Sequence, residues 1–358
     1  MKRKVLFTFG RPFSPVYSMA MRIRELCYKK GIFRTTSFAV PVVSVGNLTM
    51  GGTGKTPLVK YMAARFLERG YKPAIISRGY GGATRERVNL VSDGQTVLLD
   101  AAFAGDEPCM LAHSLPGVPV LTGVVRRLPA ARAIEMGADL LILDDGFQHL
   151  AIERDVDLVL FNAQELAGNS RVFPGGDLRE PIRALLRCHA FVLTGINTKN
   201  SARADKFSAL LATKFPERPV FRVENKVVRL CCRQPDGSEN QVVTTELVSH
   251  RCFAFCGIAR PQGFKETLEQ HGMPLVGFEA LADHHHYQEK VVRHLENQAR
   301  KTGASCFVCT EKDLVKLRHF SLSLPLYAVI MEDLTNDDLI NFVCSQLPAK
   351  THITASST

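Results

Sequence analysis

Apolar runs of four or five residues alternate with amphipathic segments through the first two-thirds of this 358-residue chain. Unbroken apolar runs are typical of parallel strands covered on both faces, since a strand with one wet face would alternate polar and apolar positions. Six strands are predicted, at residues 42–45, 74–77, 118–121, 140–143, 157–161 and 191–194. Helical patterns lie between several of them, at residues 57–69, 108–114 and 127–136. This alternation predicts an α/β domain built on a mostly parallel sheet.

The pattern changes at residues 220–248, where polar and apolar positions alternate around the turn sequence Q-P-D-G. This alternating pattern around a turn is typical of a β-hairpin. A second series of predicted strands and helices follows, with strands at 252–256 and 306–310 and helices at 261–271, 287–301 and 337–346. We therefore expect a core and a second, smaller α/β domain. The predicted bounds are a basic amphipathic segment at 1–35, the core at 36–222, a hairpin-like connector at 223–250, the second domain at 251–348 and a tail at 349–358.

The first 35 residues contain one predicted helix and most of the net charge. Ser14 and Pro15 suit its N-cap and first helical position, and Gly31 ends the pattern. Between them, apolar residues recur at helical spacing: Val16, Met19, Ala20, Ile23, Leu26 and Cys27. Residues 1–34 hold nine Lys and Arg against one Glu, a net +8 of the +10 carried by the whole chain. Because the remainder is nearly neutral, a nucleic-acid-binding function for the whole protein loses its main support.

An apolar stripe between basic side chains suits a helix that lies in the interface of an anionic membrane. The alternative is an amphipathic helix docked on its own domain with a solvated basic face, and the two are compatible. No apolar run approaches the roughly 20 residues needed to cross a bilayer. A signal peptide is not expected, because no small-residue cleavage site follows an apolar segment. Ten cysteines without such a leader indicate a reducing compartment, and buried thiols are favoured over a zinc site.

A glycine-rich loop, G-G-T-G-K-T at 51–56, follows the first predicted strand and opens the first helix of the core. Such a loop lets backbone N–H groups converge on phosphate oxygens, while the lysine reaches the β- and γ-phosphates and the threonine hydroxyl ligates Mg²⁺. The full pattern requires glycine at position 49, where this chain has Thr49. The loop predicts a P-loop NTPase-type core, and a simple turn before a helix is the alternative. The residues assigned to the nucleotide are Thr49, Met50, Gly51, Gly52, Thr53, Gly54, Lys55 and Thr56.

Two acids, Asp144 and Asp145, follow the buried strand predicted at 140–143. In open α/β sheets, ligands bind beyond the carboxyl ends of the strands, so these acids would face the phosphate loop and hold Mg²⁺. Without the glycine loop, the same pair would indicate a turn. A further charged pair lies in D-L-R-E-P at 177–181, for which salt bridging is the alternative.

Three more segments supply candidate chemistry. G-D-E-P at 105–108 precedes a predicted helix, so Asp106 is either an N-cap or a catalytic acid–base group. In D-H-H-H-Y at 283–287, consecutive histidines point in different directions, which favours one histidine paired with a carboxylate over a zinc cluster. S-R-G-Y-G-G at 77–82 predicts a flexible loop at the same edge of the sheet.

Together, and in this order, these segments resemble the tetraacyldisaccharide 4′-kinase family, the lipid A 4′-kinases of Gram-negative bacteria. The resemblance runs from the basic N-terminal helix to about residue 330. The stretches that carry it are S-V-G-N-L-T-M-G-G-T-G-K-T-P (44–57), S-R-G-Y-G-G (77–82), G-D-E-P (105–108), L-D-D-G-F-Q-H (143–149), L-R-E-P (178–181), F-C-G-I-A-R-P (255–261), D-H-H (283–285) and T-E-K-D (310–313). Beside L-D-D-G-F-Q-H, the glycine loop led by Thr49 looks like the family form.

The resemblance implies ATP-dependent transfer of the γ-phosphoryl group to the 4′-hydroxyl of a tetraacylated glucosamine disaccharide 1-phosphate, at the cytoplasmic face of the bacterial inner membrane. It implies Asp106 as the catalytic base, with His284 beside it to orient or tune the carboxylate, and Lys55 on the phosphates. The implied metal shell is Thr56, Asp144, Asp145 and Glu180. The implied sugar-facing residues are Tyr80, Arg78 and His149. The expected cofactors and partners are ATP, Mg²⁺, the lipid substrate and an anionic membrane surface, without nucleic acid.

Two other functions share part of this pattern. A soluble P-loop kinase or ATP-driven ligase that acts on a small metabolite would leave the basic N-terminal segment unexplained. A nucleotide switch that binds a membrane partner would need neither a base at Asp106 nor a sugar-facing loop.

Overall fold

The computed structural model describes residues 7–84, 86–197, 199–334 and 337–348. The expected tail at 349–358 and three N-terminal cations, Lys2, Arg3 and Lys4, lie outside the described residues. The described chain folds around two β-sheets, which confirms the α/β class.

The strands of the first sheet are β1 (Val42–Asn47), β2 (Pro73–Ser77), β3 (Asn89–Ser92), β4 (Val120–Thr122), β5 (Leu140–Asp144), β6 (Val156–Asn162), β7 (Ala190–Thr194) and β8 (Val220–Arg222). Their order is β3-β4-β2-β5-β1-β6-β7-β8. Neighbours run parallel except at one edge, where β3 is antiparallel to β4. All six predicted strands are confirmed, because their continuous apolar runs are buried on both faces. The short edge strands β3 and β8 were not predicted.

The helices of the described chain are α1 (Ser14–Lys29), α2 (Lys55–Glu68), α3 (Ala101–Ala104), α4 (Asp106–Ser114), α5 (Arg127–Glu135), α6 (Ser201–Lys214), α7 (Pro261–Gln270), α8 (Glu289–Thr302), α9 (Glu311–Leu317) and α10 (Asp338–Gln346). Short 3-10 helices lie at Arg11–Phe13, Ile182–Arg187 and Thr244–Ser249. Helix α2 buries Leu58, Met62 and Phe66 against the central strands of the first sheet. This packing fixes the glycine loop at the junction between β1 and α2.

The second sheet contains β9 (Glu224–Arg233), β10 (Glu239–Val242), β11 (Cys252–Cys256), β12 (Leu275–Ala280), β13 (Cys306–Thr310) and β14 (Leu326–Leu334). Their order is β10-β9-β14-β13-β11-β12. The strands β11 to β14 run parallel, whereas β9 is antiparallel to β14 and to β10. The hairpin expected as a connector at 223–250 is therefore the edge of the second sheet. All ten cysteines are free, and those on β9, β11 and β13 are buried except Cys231.

Helix α10 returns to the first sheet. Its side chains Leu339, Ile340 and Val343 are buried in the same apolar cluster as those of α2. The helix expected at 337–346 is thus confirmed, but it packs on the core and not on the domain expected at 251–348. We call residues 7–222 with α10 the first lobe, and residues 223–334 the second lobe.

Helix α1 contacts the first lobe through polar side chains. Tyr17 Oη donates to the carbonyl of Arg179 over 3.0 Å, and Arg24 Nη2 donates to the carbonyl of Gln148 over 2.9 Å. The apolar side chains of α1 that are more than half exposed are Val16, Met19, Ile23 and Leu26. Helix α1 is therefore docked on its own domain with Arg22, Lys29 and Lys30 exposed, as the second interpretation expected. Its apolar stripe is left exposed as well, so the first interpretation, a helix in a membrane interface, stays a prediction.

Ser14 does not cap α1, because the helix already begins at Ser14 and a 3-10 turn precedes it. The Ser14 hydroxyl instead donates to the carbonyl of Val172 over 2.8 Å and accepts from the N–H of Gly175 over 2.9 Å. These bonds tie the start of α1 to a loop of the first lobe. Within the described ranges, no helix combines the length and the apolar character needed to cross a membrane.

Candidate active site

A cavity of about 1050 Å³ lies at the carboxyl ends of the parallel strands of the first sheet and is closed on one side by the second lobe. Parallel strands bring their carboxyl ends to one edge, which is where α/β proteins bind ligands. Six strands end there on polar residues: Asn47, Ser77, Thr122, Asp144, Asn162 and Thr194. The predicted site residues that line the cavity are Gly51, Gly52, Thr53, Gly54, Lys55, Thr56, Arg78, Tyr80, Asp144, Asp145, His149, Glu180 and His284. The predicted residues Thr49, Met50 and Asp106 are not part of this lining.

The glycine loop is held from behind by the chain around it. Gly51 and Gly54 adopt φ values of 132° and 81°, which glycine reaches without the strain that a Cβ would cause. The carbonyl of Thr53 accepts a 2.6 Å hydrogen bond from the Thr194 hydroxyl. Thr49 pairs in antiparallel fashion with Leu178, an extended conformation that a β-branched residue adopts easily. This pairing explains why the loop needs no glycine at position 49.

Lys55 is the first residue of α2 and already faces the acids at the end of β5. Its Nζ lies 3.2 Å from Asn47 Oδ1 and 3.5 Å from Asp145 Oδ1. Asp145 also binds Arg179 Nη1 at 2.8 Å. Burial by itself would raise the pKa of Asp145, but Lys55 and Arg179 outweigh it and hold that pKa below its usual value.

The neighbouring acid, Asp144, has the opposite environment. It is buried, and its Oδ2 accepts a 3.2 Å bond from the Ser77 hydroxyl. Its other oxygen, Oδ1, is buried without a hydrogen-bond partner among the described residues. Burial, with help from the charges of Glu107 and Asp145, raises the pKa of Asp144 to about 7. An unpartnered, buried carboxylate oxygen beside a phosphate loop is a position that a cation would stabilise.

The donor set at this position fits Mg²⁺. Mg²⁺ prefers oxygen ligands and is often held by one or two carboxylates together with phosphate oxygens. Asp144, Asp145 and the Thr56 hydroxyl supply such oxygens at the cavity wall. Glu180 contributes less directly, because its carboxylate is bound by Arg187 at 2.5 Å and by Arg24 at 3.7 Å. No group of three or more His, Cys, Asp or Glu side chains is placed to hold a metal ion within the described chain, so the protein alone does not complete a coordination shell.

Asp106 is the first residue of α4, and Gly105 with φ 91° is the N-cap. Because Gly105 occupies the N-cap position, the N-cap interpretation of Asp106 is wrong. Instead its Oδ2 lies 3.1 Å from His284 Nδ1, on a loop of the second lobe. The carboxylate is buried, and the ring of Tyr80 packs edge-on against His284 with centroids 5.8 Å apart. A carboxylate–histidine pair therefore joins the two lobes at the cavity.

The other histidines of D-H-H-H-Y do not join this pair. The ring of His285 packs against Tyr287, and His286 is exposed. The structure thus has one histidine facing a carboxylate, as the sequence indicated. His149 also lines the cavity, and burial and the charge of Arg126 lower its pKa to about 4. At neutral pH it is therefore an uncharged hydrogen-bonding group.

Several cations of the cavity wall were not predicted. These are Arg24, Arg126, Arg179, Arg260 and Lys312. Three of them belong to stretches that carry the family resemblance, and this was the signal that could have identified them: Arg179 in L-R-E-P, Arg260 in F-C-G-I-A-R-P and Lys312 in T-E-K-D. Arg126 belongs to no motif, and only the fold buries it and directs its Nη1 to the carbonyl of Asp145 over 3.0 Å.

Arg260 links the second lobe to the glycine loop. Its guanidinium lies 2.8 Å from Glu165 Oε2 and 3.4 Å from Gln164 Oε1, both in the first lobe. A Cβ on Gly51 would lie 3.5 Å from the same Glu165 oxygen. An arginine from the second lobe therefore lies next to the predicted phosphate site.

Comparison with known proteins identifies the family of this chain. The sequence model of the family described as tetraacyldisaccharide-1-P 4′-kinase matches residues 6–347. The tetraacyldisaccharide 4′-kinase of Desulfotalea psychrophila is 47% identical over 331 residues, which are 91% of this chain and 92% of that protein. The protein of the same name from Syntrophus aciditrophicus is 40% identical, over 87% of this chain and 85% of its own.

A solved structure extends the likeness to three dimensions. The crystal structure titled as the "apo" form of LpxK from Aquifex aeolicus in complex with ATP matches with a TM-score of 0.75 and 28% identity. The match covers 97% of this chain and 99% of that one. With a family model matched across nearly the whole chain and relatives of this identity and coverage, the chain belongs to the tetraacyldisaccharide-1-P 4′-kinase family.

Proposed function

We propose that the protein transfers the γ-phosphate of ATP to the 4′-hydroxyl of tetraacyldisaccharide 1-phosphate and so forms lipid IVA in lipid A biosynthesis. The observation that carries this proposal is the Asp106–His284 pair, whose histidine lines the same cavity as the glycine loop. A phosphate cradle alone would suit any nucleotide-binding protein. A buried carboxylate paired with histidine beside it adds a means of accepting a hydroxyl proton.

The donor side of the reaction lies on the loop at 51–56. Its backbone N–H groups and Lys55 would bind the phosphates of ATP and hold the γ-phosphorus in line with the acceptor. When bound, Mg²⁺ would be held by Thr56, Asp144 and Asp145, with Glu180 behind them, and would neutralise phosphate charge. Arg126 and Arg260, which line the cavity, would add positive charge near the phosphates, where negative charge develops during the transfer.

On the acceptor side, Asp106 takes the proton of the 4′-hydroxyl as that oxygen bonds to the γ-phosphorus. The bond from the γ-phosphorus to its bridging oxygen breaks, and ADP leaves. His284 Nδ1 holds Asp106 Oδ2 and so orients the carboxylate. The sugar would lie against Tyr80, Arg78 and His149, all of which line the cavity. A positioned base of this kind typically contributes about 10²–10⁴ in rate.

The lipid would be reached at the cytoplasmic face of the inner membrane, to which the protein binds as a peripheral protein. Extraction of acyl chains from a bilayer costs about 0.8 kcal/mol per CH₂, so the enzyme must work at the surface. The exposed apolar face of α1, flanked by Arg22, Lys29 and Lys30, supports binding to an anionic surface. In this proposal residues 1–35 bind the membrane, residues 36–222 bind the nucleotide, and the second lobe at 223–334 completes the cavity. The tail at 349–358 has no assigned part.

The experiment is a transfer assay with γ-labelled ATP and the disaccharide 1-phosphate in detergent micelles. We expect labelled lipid from the wild type, and a loss of product of at least 10²-fold in Asp106→Asn with ATP binding retained. Glu289→Gln is the matched control, because Glu289 is an exposed side chain at the first position of α8 and is not part of the cavity lining. Robust transfer to a soluble metabolite with no lipid product would overturn the proposal.

A further inference from the structure

Two cysteines face each other at the start of neighbouring strands in the second sheet. Cys252 opens β11 and Cys306 opens β13, and the two residues are partners in the parallel register of these strands. Both side chains are buried in the same apolar cluster, so they lie on the same face of the sheet. The Cys306 thiol donates to Cys252 Sγ over 3.6 Å. The two sulfur atoms are therefore in contact.

The backbone around this pair meets the requirements of a disulfide. Neighbouring strands lie about 4.7–4.9 Å apart, and disulfides join Cα atoms that are roughly 4.4–6.8 Å apart. The preceding residues hold the strands in register, because the N–H of Arg251 donates to Ser305 Oγ over 3.0 Å and the N–H of Ser305 donates to the carbonyl of Arg251 over 2.8 Å. A bond between the two sulfur atoms thus requires no shift of one strand along the other.

The two thiols differ in acidity. The hydrogen bond from Cys306 lowers the pKa of Cys252 although burial opposes it, and the same bond together with burial raises the pKa of Cys306. Burial raises the pKa of Cys256, further along β11, to about 12. Because the thiolate is the form that reacts with oxidants, Cys252 is the thiol suited to attack and Cys306 is the thiol placed to complete a disulfide.

The 3-10 turn at Thr244–Ser249 lies against the pair. Leu247 is the buried residue of this turn, and it belongs to the same apolar cluster as the two cysteines. The Cys252 thiol lies 3.9 Å from the carbonyl oxygen of Leu247. The next residue, Val248, is 53% exposed. A short element held by one buried side chain can open locally while the sheet stays folded, and such an opening gives small molecules access to the sulfur atoms.

We propose that Cys252 and Cys306 form a site of reversible oxidation, at which a hydroperoxide converts the two thiols into a disulfide that ties β11 to β13. The Cys252 thiolate attacks a peroxide oxygen, the O–O bond breaks, and a sulfenic acid and hydroxide form. The Cys306 sulfur then attacks the sulfenic sulfur, and the hydroxyl leaves as water with the Cys306 proton. Overall the thiols lose two electrons and two protons, and hydrogen peroxide becomes two waters. A small dithiol reverses the reaction by exchange.

This inference does not depend on the proposed kinase activity. The cysteines lie at the amino ends of β11 and β13, whereas Arg260 and Lys312, which line the cavity, follow the carboxyl ends of the same strands. The disulfide therefore joins the two strands that carry these cavity residues without entering the cavity. In a reducing compartment such a disulfide is transient, as in proteins that respond to oxidants.

The test exposes the reduced full chain to hydrogen peroxide without denaturant, alkylates the remaining thiols and maps the peptides by mass spectrometry. We expect a peptide pair joined through Cys252 and Cys306, with two fewer alkylated thiols than the ten of the reduced chain. Dithiothreitol should restore all ten. If the oxidised protein contains no bond between Cys252 and Cys306, the inference is wrong.

Cys306→Ser separates the two steps of the reaction. Serine keeps a donor beside Cys252 but cannot form the disulfide, so dimedone should trap a sulfenic acid at Cys252. Cys309→Ser is the matched control, because Cys309 is buried on the same strand but in the cluster on the other face of the sheet. This variant should form the cross-link as the wild type does. Equal trapping of a Cys252 sulfenic acid in both variants would overturn the role of Cys306.

A second measurement needs no variant. Phenylarsine oxide reacts with two adjacent thiols, forming two As–S bonds and releasing water. With one equivalent on the native wild type, we expect Cys252 and Cys306 to be protected together from alkylation, while Cys309 gains no protection. Protection of neither cysteine would show that the pair is closed to small reagents and would overturn the inference.

Discussion

His284 Nδ1 lies 3.1 Å from Asp106 Oδ2, although the two residues are 178 positions apart in the chain. Asp106 begins a helix of the first lobe, and His284 sits on a loop of the second with φ 56°. A non-glycine residue in this conformation costs about 1–3 kcal/mol, so the surrounding structure holds His284 there against its preference. The docking of the lobes therefore assembles the pair.

Replacement of His284 should affect turnover more than binding. In His284→Asn we expect kcat to fall by about 10²-fold, because Asp106 loses the donor that orients it, with little change in KM for ATP. His286→Asn is the control, since His286 is exposed two residues away. Steady-state kinetics with lipid in micelles provide the measurement, and equal losses in both variants would contradict the assigned role.

The two acids after β5 should have opposite effects on stability. The pKa of Asp144 is about 7 in the folded protein and 3.8 in an unfolded chain, so stability falls as pH rises between these values. Asp144→Asn carries no charge at any pH. In chelator without nucleotide it should raise Tm by roughly 2–4 °C at pH 8, with a smaller gain at pH 5.

Asp145→Asn is the matched comparison for that experiment. The pKa of Asp145 is held below its usual value by Lys55 and Arg179 despite burial, so its stabilising effect is present above the unfolded pKa and is lost in acid. The variant should lower Tm at pH 8 and approach the wild type as pH falls. Both variants should lose kinase activity. Parallel changes of Tm with pH would contradict the opposed environments.

The exposed stripe of α1 should carry membrane binding. Leu26→Glu removes an apolar side chain worth about 1.5–3 kcal/mol when buried, so partition into anionic vesicles should weaken by roughly 10–100-fold. Leu210→Glu is matched in chemistry, helical context and exposure, at 50% against 52% for Leu26. Sedimentation with vesicles at two salt concentrations measures both. Equal binding by the two variants would argue against α1 as the contact.

Replacements of Arg260 and Glu165 should have different effects on KM for ATP. A triphosphate on the glycine loop competes with Glu165 for the guanidinium of Arg260, which now lies 2.8 Å from the carboxylate. Arg260→Gln should raise KM for ATP by about 10–100-fold, the value of a charged hydrogen bond. Glu165→Gln frees the arginine and should leave KM unchanged or lower. If both raise KM alike, the pair acts only as a bridge between lobes.

Gly105 should tolerate no side chain. It has φ 91°, and a Cβ there would lie 2.5 Å from the carbonyl oxygen of Tyr80. Gly105→Ala should therefore lose about 1–3 kcal/mol of unfolding free energy and displace Asp106, with a loss of kcat. Gly263→Ala is the control, because this helical glycine has nothing within 4 Å of a Cβ and should gain about 0.5–1 kcal/mol. Urea unfolding measures both.

Features that depend on residues close together in the chain could be predicted from the sequence. The six buried strands, the glycine loop between β1 and α2, and the acids after β5 depend on local spacing and on the direction of parallel strands. For the same reason the predicted residues 51–56, Asp144 and Asp145 reach one cavity. From its residues alone, the sequence left Asp106 open between an N-cap and an acid–base group and indicated one histidine paired with a carboxylate. The family resemblance then assigned these roles to Asp106 and His284.

Contacts between segments that are distant in the chain could not be predicted from local sequence patterns. An amphipathic pattern shows that a helix has an apolar face but not what covers it: α10 buries its face on the first lobe, while α1 leaves its face exposed. Arg126 had no motif, and its burial follows from packing around β4 and β5.

The sequence by itself determined the six buried strands of the first sheet, the phosphate loop and the types of residue at the site, because each depends on neighbours within a few positions. Tertiary structure decided how the site is completed. Only the docking of the second lobe brings His284 to Asp106 and lays Lys312 and Lys316 of α9 against the pair. The physical reason is that charge pairing across a buried interface depends on the relative placement of whole lobes, which no local pattern specifies.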